Sequence, residues 1–133
     1  MEENKSPLVE YWIEKSKESL HSAELEFQHG SLNFSVNRLY YSIFYIVNAY
    51  FFLKGKSFKK HAGVKSAFHK DLIKTNTLDK KYGKLYDVLF EAREEGDYKP
   101  FIEFEKEQVE DWIGKVKNFV KEMEILIEQE KRV

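Results

Sequence analysis

The chain has 133 residues, 42% of them hydrophobic and 16% aromatic, no cysteine, and a formal net charge of −1. Such a length and composition give a single domain over residues 1–133 with one real core. They exclude a disordered chain, disulfides, thiolate catalysis and cysteine metal sites.

The average charge conceals a pattern. Residues 54–84 hold ten lysines against two aspartates, a balance of +8, while residues 1–29 balance at −4 and residues 87–133 at −6. Asymmetry of this kind suits an anionic partner if the lysines share one face, and a solvated surface if they do not. The amino-terminal "MEENKSPLVEYW" is acidic and polar, unlike a signal peptide. The longest apolar run, "LYYSIFYIVNAYFFL", is too short to span a bilayer and is interrupted by Ser42 and Asn48. A soluble, cytoplasmic protein without a membrane partner is expected.

Helical periodicity dominates, and both prolines, Pro7 and Pro100, read as element edges. Leu8, Trp12, Ser16, Leu20, Ala23 and Phe27 give a first helical stripe, which Gly30 ends. A second helix, about Leu32 to Lys54, is apolar nearly all round from Leu39 to Leu53, which suits the centre of a bundle or a subunit contact. A third runs from about His61 to Lys74 with Val64, Phe68 and Leu72 inward. A fourth carries Tyr82, Leu85, Tyr86 and Leu89. The last, about Glu105 to Lys131, has the cleanest stripe: Val109, Trp112, Ile113, Val116, Val120, Met123 and Ile127. The fold class is therefore all-α, an up-and-down bundle of about five helices. The apolar surface of the second helix predicts a homodimer, since large exposed apolar patches mark interfaces.

Polar residues interrupt these stripes. Arg93 follows Leu85 and Leu89 at i+8 and i+4, so it continues the apolar face of the fourth helix. Arg38 shares a side with Phe34, Tyr41 and Tyr45, and His61 lies three residues before Val64, on the inward side of the third helix. Inward arginines need an anionic or acceptor partner, and Asp97 or Asp87 could supply one. Each residue also has a plain structural role open to it. Arg93 could complement a helix C-terminus capped by Gly96, Arg38 could snorkel at the mouth of the core, and His61 could simply pack. Together, Arg38, His61, Arg93, Asp97 and Tyr98 are expected to converge in one polar, anion-binding cleft.

One metal motif needs a check. Glu26 and His29 have the Glu-x-x-His spacing of di-iron bundles, but those need two such motifs and two further inward glutamates, and Phe27 carries the core stripe here. Neither a metal nor any other cofactor is expected, and no Gly-rich phosphate loop or nucleophile elbow occurs.

Three segments, in order, resemble the HEPN superfamily, and most of all its small stand-alone prokaryotic members. They are the Arg-x-Tyr-Tyr-x-x-Phe segment (Arg38, Tyr40, Tyr41, Phe44), the His-x-Gly-Val segment (His61, Gly63, Val64) and the Arg-x-x-x-Asp-Tyr segment (Arg93, Asp97, Tyr98). The resemblance covers about residues 8–130. It implies a helical bundle, usually dimeric through its long helices. It also implies an RNA-directed function, because many members are metal-independent RNases whose motif is an arginine followed four to six residues later by a histidine. Many are encoded beside a minimal nucleotidyltransferase as toxin and antitoxin, and in some pairs that partner adenylylates a tyrosine beside the motif. This chain departs from the pattern. Asp97, Tyr98 and Lys99 stand where the histidine belongs, and no histidine follows Arg93 anywhere. Neither tyrosine nor aspartate exchanges a proton readily near neutral pH.

The favoured reading is a dimeric HEPN module that binds nucleotide or RNA, or docks a nucleotidyltransferase, without cleavage. Arg38 and Arg93 would hold phosphate, and Tyr41 and Tyr98 would stack or hydrogen-bond. The alternatives are a metal-independent RNase with an atypical site built from Arg93 and His61, and a purely structural oligomer. If a nucleotidyltransferase partner exists, the resemblance implies Tyr98 as the acceptor of a nucleotide, since it follows Arg93 where the family places its modified tyrosine, and Gly96 and Pro100 argue for a loop that lets its hydroxyl reach the partner.

Overall fold

The computed structural model describes residues 2–100 and 102–133, with side chains from Pro7 onward. Among these the chain forms five α-helices and no strand: α1 (Glu2–Gln28), α2 (Leu32–Leu53), α3 (His61–Phe68), α4 (Lys80–Tyr98) and α5 (Lys106–Lys131). A π-helical turn, His69–Ile73, extends α3, and there the Lys74 N–H donates to the His69 carbonyl at 2.8 Å, five residues back.

The turns follow local chemistry. Gly30 takes φ +81° after α1, where the Ser31 N–H donates to the Glu26 carbonyl. Gly55 takes φ +80° after α2, with Lys56 donating to Phe51. Glycine adopts this left-handed region without strain, which suits the ends of both helices. Asp79 caps α4 by accepting from the Lys81 N–H at 2.9 Å.

α2 is the central helix, packed against α1, α4 and α5. Its contact with α1 is close because serines lie between the two backbones. Ser16 Oγ donates to the Ser42 carbonyl at 2.7 Å, and Ser42 Oγ donates back to the Ser16 carbonyl at 2.9 Å. Further along, Ser35 donates to the Ala23 carbonyl, and Ser19 donates to the Arg38 carbonyl. The core is completed by α5, whose predicted stripe from Val109 to Ile127 is buried throughout, together with Phe119. Each such side chain contributes about 1.5–3 kcal/mol of hydrophobic stabilisation.

Four expectations need revision. The buried face of α1 is Val9, Ile13, Ser16 and Ala23, while Leu8 is exposed and Trp12 half-buried. α1 contacts both α2 and α5, so Val9 and Ile13 take the most buried places at its start, while Trp12, Leu20 and Phe27 still pack against the core as expected. Pro7 lies inside α1 and not at its edge. Gly96 lies inside α4, which runs on to Tyr98, so it caps nothing. A Cβ added there would stand 3.0 Å from Phe104 Cε2, so the glycine leaves room for the segment that follows. Finally, no residue of α2 from Leu39 to Leu53 is exposed in the single chain. The apolar run is buried or half-buried against the chain's own helices, and the surface argument for a dimer through α2 does not hold.

Candidate functional site

Arg93 carries the apolar stripe of α4 inward, as its spacing from the buried Leu85 and Leu89 requires, and is 8% exposed. Its guanidinium carbon lies 4.9 Å from the ring centroid of Tyr40 and 5.8 Å from that of Tyr41, both on α2. Ring faces attract the cation and offset part of its desolvation. Its ion pair is loose: Nη1 is 3.8 Å from Asp97 Oδ2, and Nε has no hydrogen-bond partner among the described residues. The buried Tyr40 hydroxyl is also unpartnered, and burial pushes its pKa up despite the opposing charge of Arg93. Polar groups buried in this state are costly unless a further partner arrives.

His61 opens α3 and its ring packs among three aromatic side chains. Ring centroids are 4.4 Å away for Phe44, 5.7 Å for Tyr41 and 5.8 Å for Tyr40. Burial lowers the imidazole pKa below its ordinary value, and the Arg93 charge lowers it further. The neutral form of the ring is therefore favoured.

Asn37 ties the two arginines together. Its Nδ2 donates to Asp97 Oδ2 at 3.0 Å, and its Oδ1 accepts from Arg38 Nη1 at 2.6 Å. Arg38 itself is exposed and borders an open cavity of about 380 Å³ whose walls include Tyr41 and Tyr45. Arg38, Tyr41, His61, Arg93 and Asp97 thus form one connected group. Tyr98 stands apart from it. At 74% exposure it lines a shallow depression with Glu91, Glu94, Glu95 and Lys99. Sequence reasoning missed the bridging role of Asn37 and the supporting ring of Tyr40. The first had only its adjacency to Arg38 as a signal, and the second was part of the recognised segment without a role.

The lysine excess is divided. Lys54, Lys56 and Lys65 pair with Glu130, Asp71 and Asp87, while Lys81 and Lys84 border a groove of about 320 Å³ beside Trp112. Among the described residues no three histidine, aspartate or glutamate side chains gather as metal ligands. Nor is any described helix long and apolar enough to cross a membrane.

The sequence profile of the HEPN domain matches residues 9–126. The chain belongs to the HEPN family. It is similar to a Thermotoga maritima protein described as a UPF0332 protein, with 44% identity over 128 residues, 96% of this chain and 97% of that one. It also resembles two Methanocaldococcus jannaschii proteins named as candidate toxins. One is 38% identical over 102 residues, 77% of this chain and 69% of that one. The other is 26% identical over 121 residues, 86% of this chain and 90% of that one. In this HEPN domain the arginine of the third segment is the buried Arg93, and the group around it comes from α2, α3 and α4.

Proposed function

We propose that this HEPN protein is a nucleotide- or RNA-binding component of a toxin–antitoxin-like pair, in which the Arg93 cleft holds phosphate. The observation that carries this reading is the state of Arg93. It is a nine-tenths buried guanidinium with an unpaired Nε and one ion pair, stretched to 3.8 Å. A phosphate accepts bidentate hydrogen bonds in the geometry a guanidinium offers, and would satisfy those donors. The names of the two archaeal relatives support the toxin-like setting. The lack of a histidine after Arg93 supports binding without cleavage.

A second reading is favoured by one feature. The neutral form of His61 is favoured beside Arg93, as it would be in a general base. In a metal-independent RNase, His61 would take the 2′-hydroxyl proton while the 2′-oxygen attacks phosphorus to form a 2′,3′-cyclic phosphate, and the 5′-oxygen would leave with a proton from water. Arg93 would stabilise the charge on the non-bridging oxygens.

The partners are part of the proposal. A second copy of the chain is one, and exposed Leu8, Leu25, Phe34 and Ile125 support it. A minimal nucleotidyltransferase is the other. The 74% exposure of Tyr98 supports it as the acceptor, whereas its neighbours Glu91, Glu94 and Glu95, offset in part by Lys99, oppose the approach of an anionic nucleotide.

Incubation of labelled RNA with the protein in a chelator, read by gel shift and by cleavage, tests both readings. The binding reading predicts a shift without fragments, abolished by Arg93→Met. Fragments that vanish with His61→Ala would establish the second reading instead. Absence of any shift or fragment would contradict both.

A further inference from the structure

The aromatic surface beside Arg93 does not end at Tyr41. The Tyr41 ring centroid is 5.7 Å from that of Tyr45, Tyr45 is 5.6 Å from Trp12, and Trp12 is 5.5 Å from Tyr11. Four rings therefore run in contact from Tyr41 on α2, against which Arg93 packs, across to α1. All are reachable: Tyr41, Tyr45 and Trp12 are half-buried and Tyr11 is 51% exposed.

Cations border this row. Lys15 Nζ lies 5.7 Å from the Tyr45 centroid and 5.9 Å from the Tyr11 centroid. Arg38 and Lys15 line the same cavity of about 380 Å³ as Tyr41 and Tyr45. Several nearby cations are matched with carboxylates, Lys17 with Glu124, Lys54 with Glu130 and Lys117 with Glu24, although among the described residues Lys106 and Lys121 of α5 are not. Among the described residues neither Lys15 nor Arg38 makes such a pair, although Glu18 lies on the same cavity wall. Positive charge without a partner, beside a row of reachable rings, complements a flexible polyanion that carries flat apolar faces.

We propose that this row is a stacking track for single-stranded RNA. The strand would leave the Arg93 cleft and pass Tyr41, Tyr45, Trp12 and Tyr11, with Arg38 and Lys15 against its phosphates. The proposal rests on the reading of the Arg93 cleft as a phosphate site, and extends it from one phosphate to several nucleotides. Stacking on aromatic side chains tolerates any base, because every base has a π face. A duplex keeps its bases stacked inside and offers no faces to such a row.

The test compares the affinities of adenosine monophosphate, oligoadenylates of two, four and eight nucleotides, and an RNA duplex of eight base pairs. It also measures the sedimentation of each variant. One base–aromatic stack strengthens binding by about five- to hundredfold. The tetranucleotide should therefore bind at least about fivefold more tightly than the mononucleotide, and more tightly than the duplex. Tyr45→Leu, which keeps an apolar side chain in place, should remove most of this gain while leaving mononucleotide affinity unchanged. Lys15→Gln should reduce the salt dependence of tetranucleotide binding by about 0.7 in log–log slope, the loss of one phosphate contact.

Equal affinity for mononucleotide and tetranucleotide, with dependence on Arg93 retained, overturns the track and leaves the phosphate site standing. Preference for the duplex overturns it as well. A Tyr45→Leu protein that becomes monomeric yet binds RNA normally would assign the row to a second copy of the chain. No binding of any nucleotide by the wild type would overturn the reading of the cleft itself.

Discussion

Arg93 and Asp97 lie one turn apart on α4, and Asp97 Oδ2 stands 3.8 Å from Arg93 Nη1, beyond hydrogen-bond reach. The same oxygen accepts a 3.0 Å hydrogen bond from Asn37. The buried guanidinium therefore has its counter-charge close by, but that carboxylate is directed elsewhere. Such an arrangement costs stability and leaves donors free, and the two consequences can be measured separately.

Arg93→Met should leave the fold intact. An apolar side chain of similar length replacing a poorly satisfied buried ion is neutral or stabilising by about 1–4 kcal/mol. Thermal melts should show an unchanged or raised midpoint. A loss of about 3–5 kcal/mol would instead show that Arg93 serves as a structural ion pair.

His61 gives the protein a pH dependence of known sign. Its folded pKa lies below the ordinary 6.5, so the unfolded chain takes up protons first as pH falls. Stability from this group is complete above about pH 6.5 and is lost as pH drops below it. His61→Gln should flatten that part of the profile. A phosphate beside Arg93 would offset the charge that helps depress His61. The imidazole pKa, followed by NMR, should rise when adenosine monophosphate is added, and binding should tighten toward acid. An unchanged His61 titration at saturating ligand would place the ligand elsewhere.

Asn37→Leu should weaken RNA binding without moving the melting point by more than a few degrees. The substitution frees Asp97 Oδ2 to close on Arg93 and releases Arg38 from its 2.6 Å contact. A tighter Asp97–Arg93 pair competes with phosphate. Binding isotherms that match the wild type would show that Asn37 positions neither arginine.

Gly83→Ala tests the π-helical turn. A Cβ at Gly83 would lie 2.9 Å from His69 Cε1 and 3.2 Å from Ile73 Cγ1. His69 cannot move freely, because its Nε2 is 2.8 Å from Asp87 Oδ1. Helix propensity alone would favour alanine by up to about 1 kcal/mol, but overpacking of about 1–3 kcal/mol should win. Chemical denaturation should show a net loss; a net gain would mean that His69 swings out at no cost.

The five helices were legible because their core faces repeat at helical spacing, and α5 most of all, since a single apolar stripe defines it. α1 was read out of phase only at its start, because Leu8 and Val9, like Trp12 and Ile13, are equally apolar in sequence. Only contact with both α2 and α5 decides which of each pair is buried. Gly96 and Pro100 suggested a loop around Tyr98, yet α4 continues to Tyr98 because the glycine answers to Phe104 and not to a cap. The inward placement of Arg93 followed from Leu85 and Leu89. Asn37 did not follow from anything, because its partners lie one residue away on α2 and sixty residues away on α4. The aromatic row through Tyr45 and Trp12 likewise joins two helices, so no single helical stripe reveals it.

The central claim is that the Arg93 guanidinium receives phosphate. The most direct measurement follows the Arg93 side-chain nitrogen and proton resonances by NMR while a 5′-phosphorylated tetranucleotide is added. The account predicts that the Arg93 signals shift and saturate together with those of Arg38, and that inorganic phosphate shifts Arg93 in the same direction at higher concentration. Arg93 resonances that stay fixed while the ligand saturates other residues would contradict it.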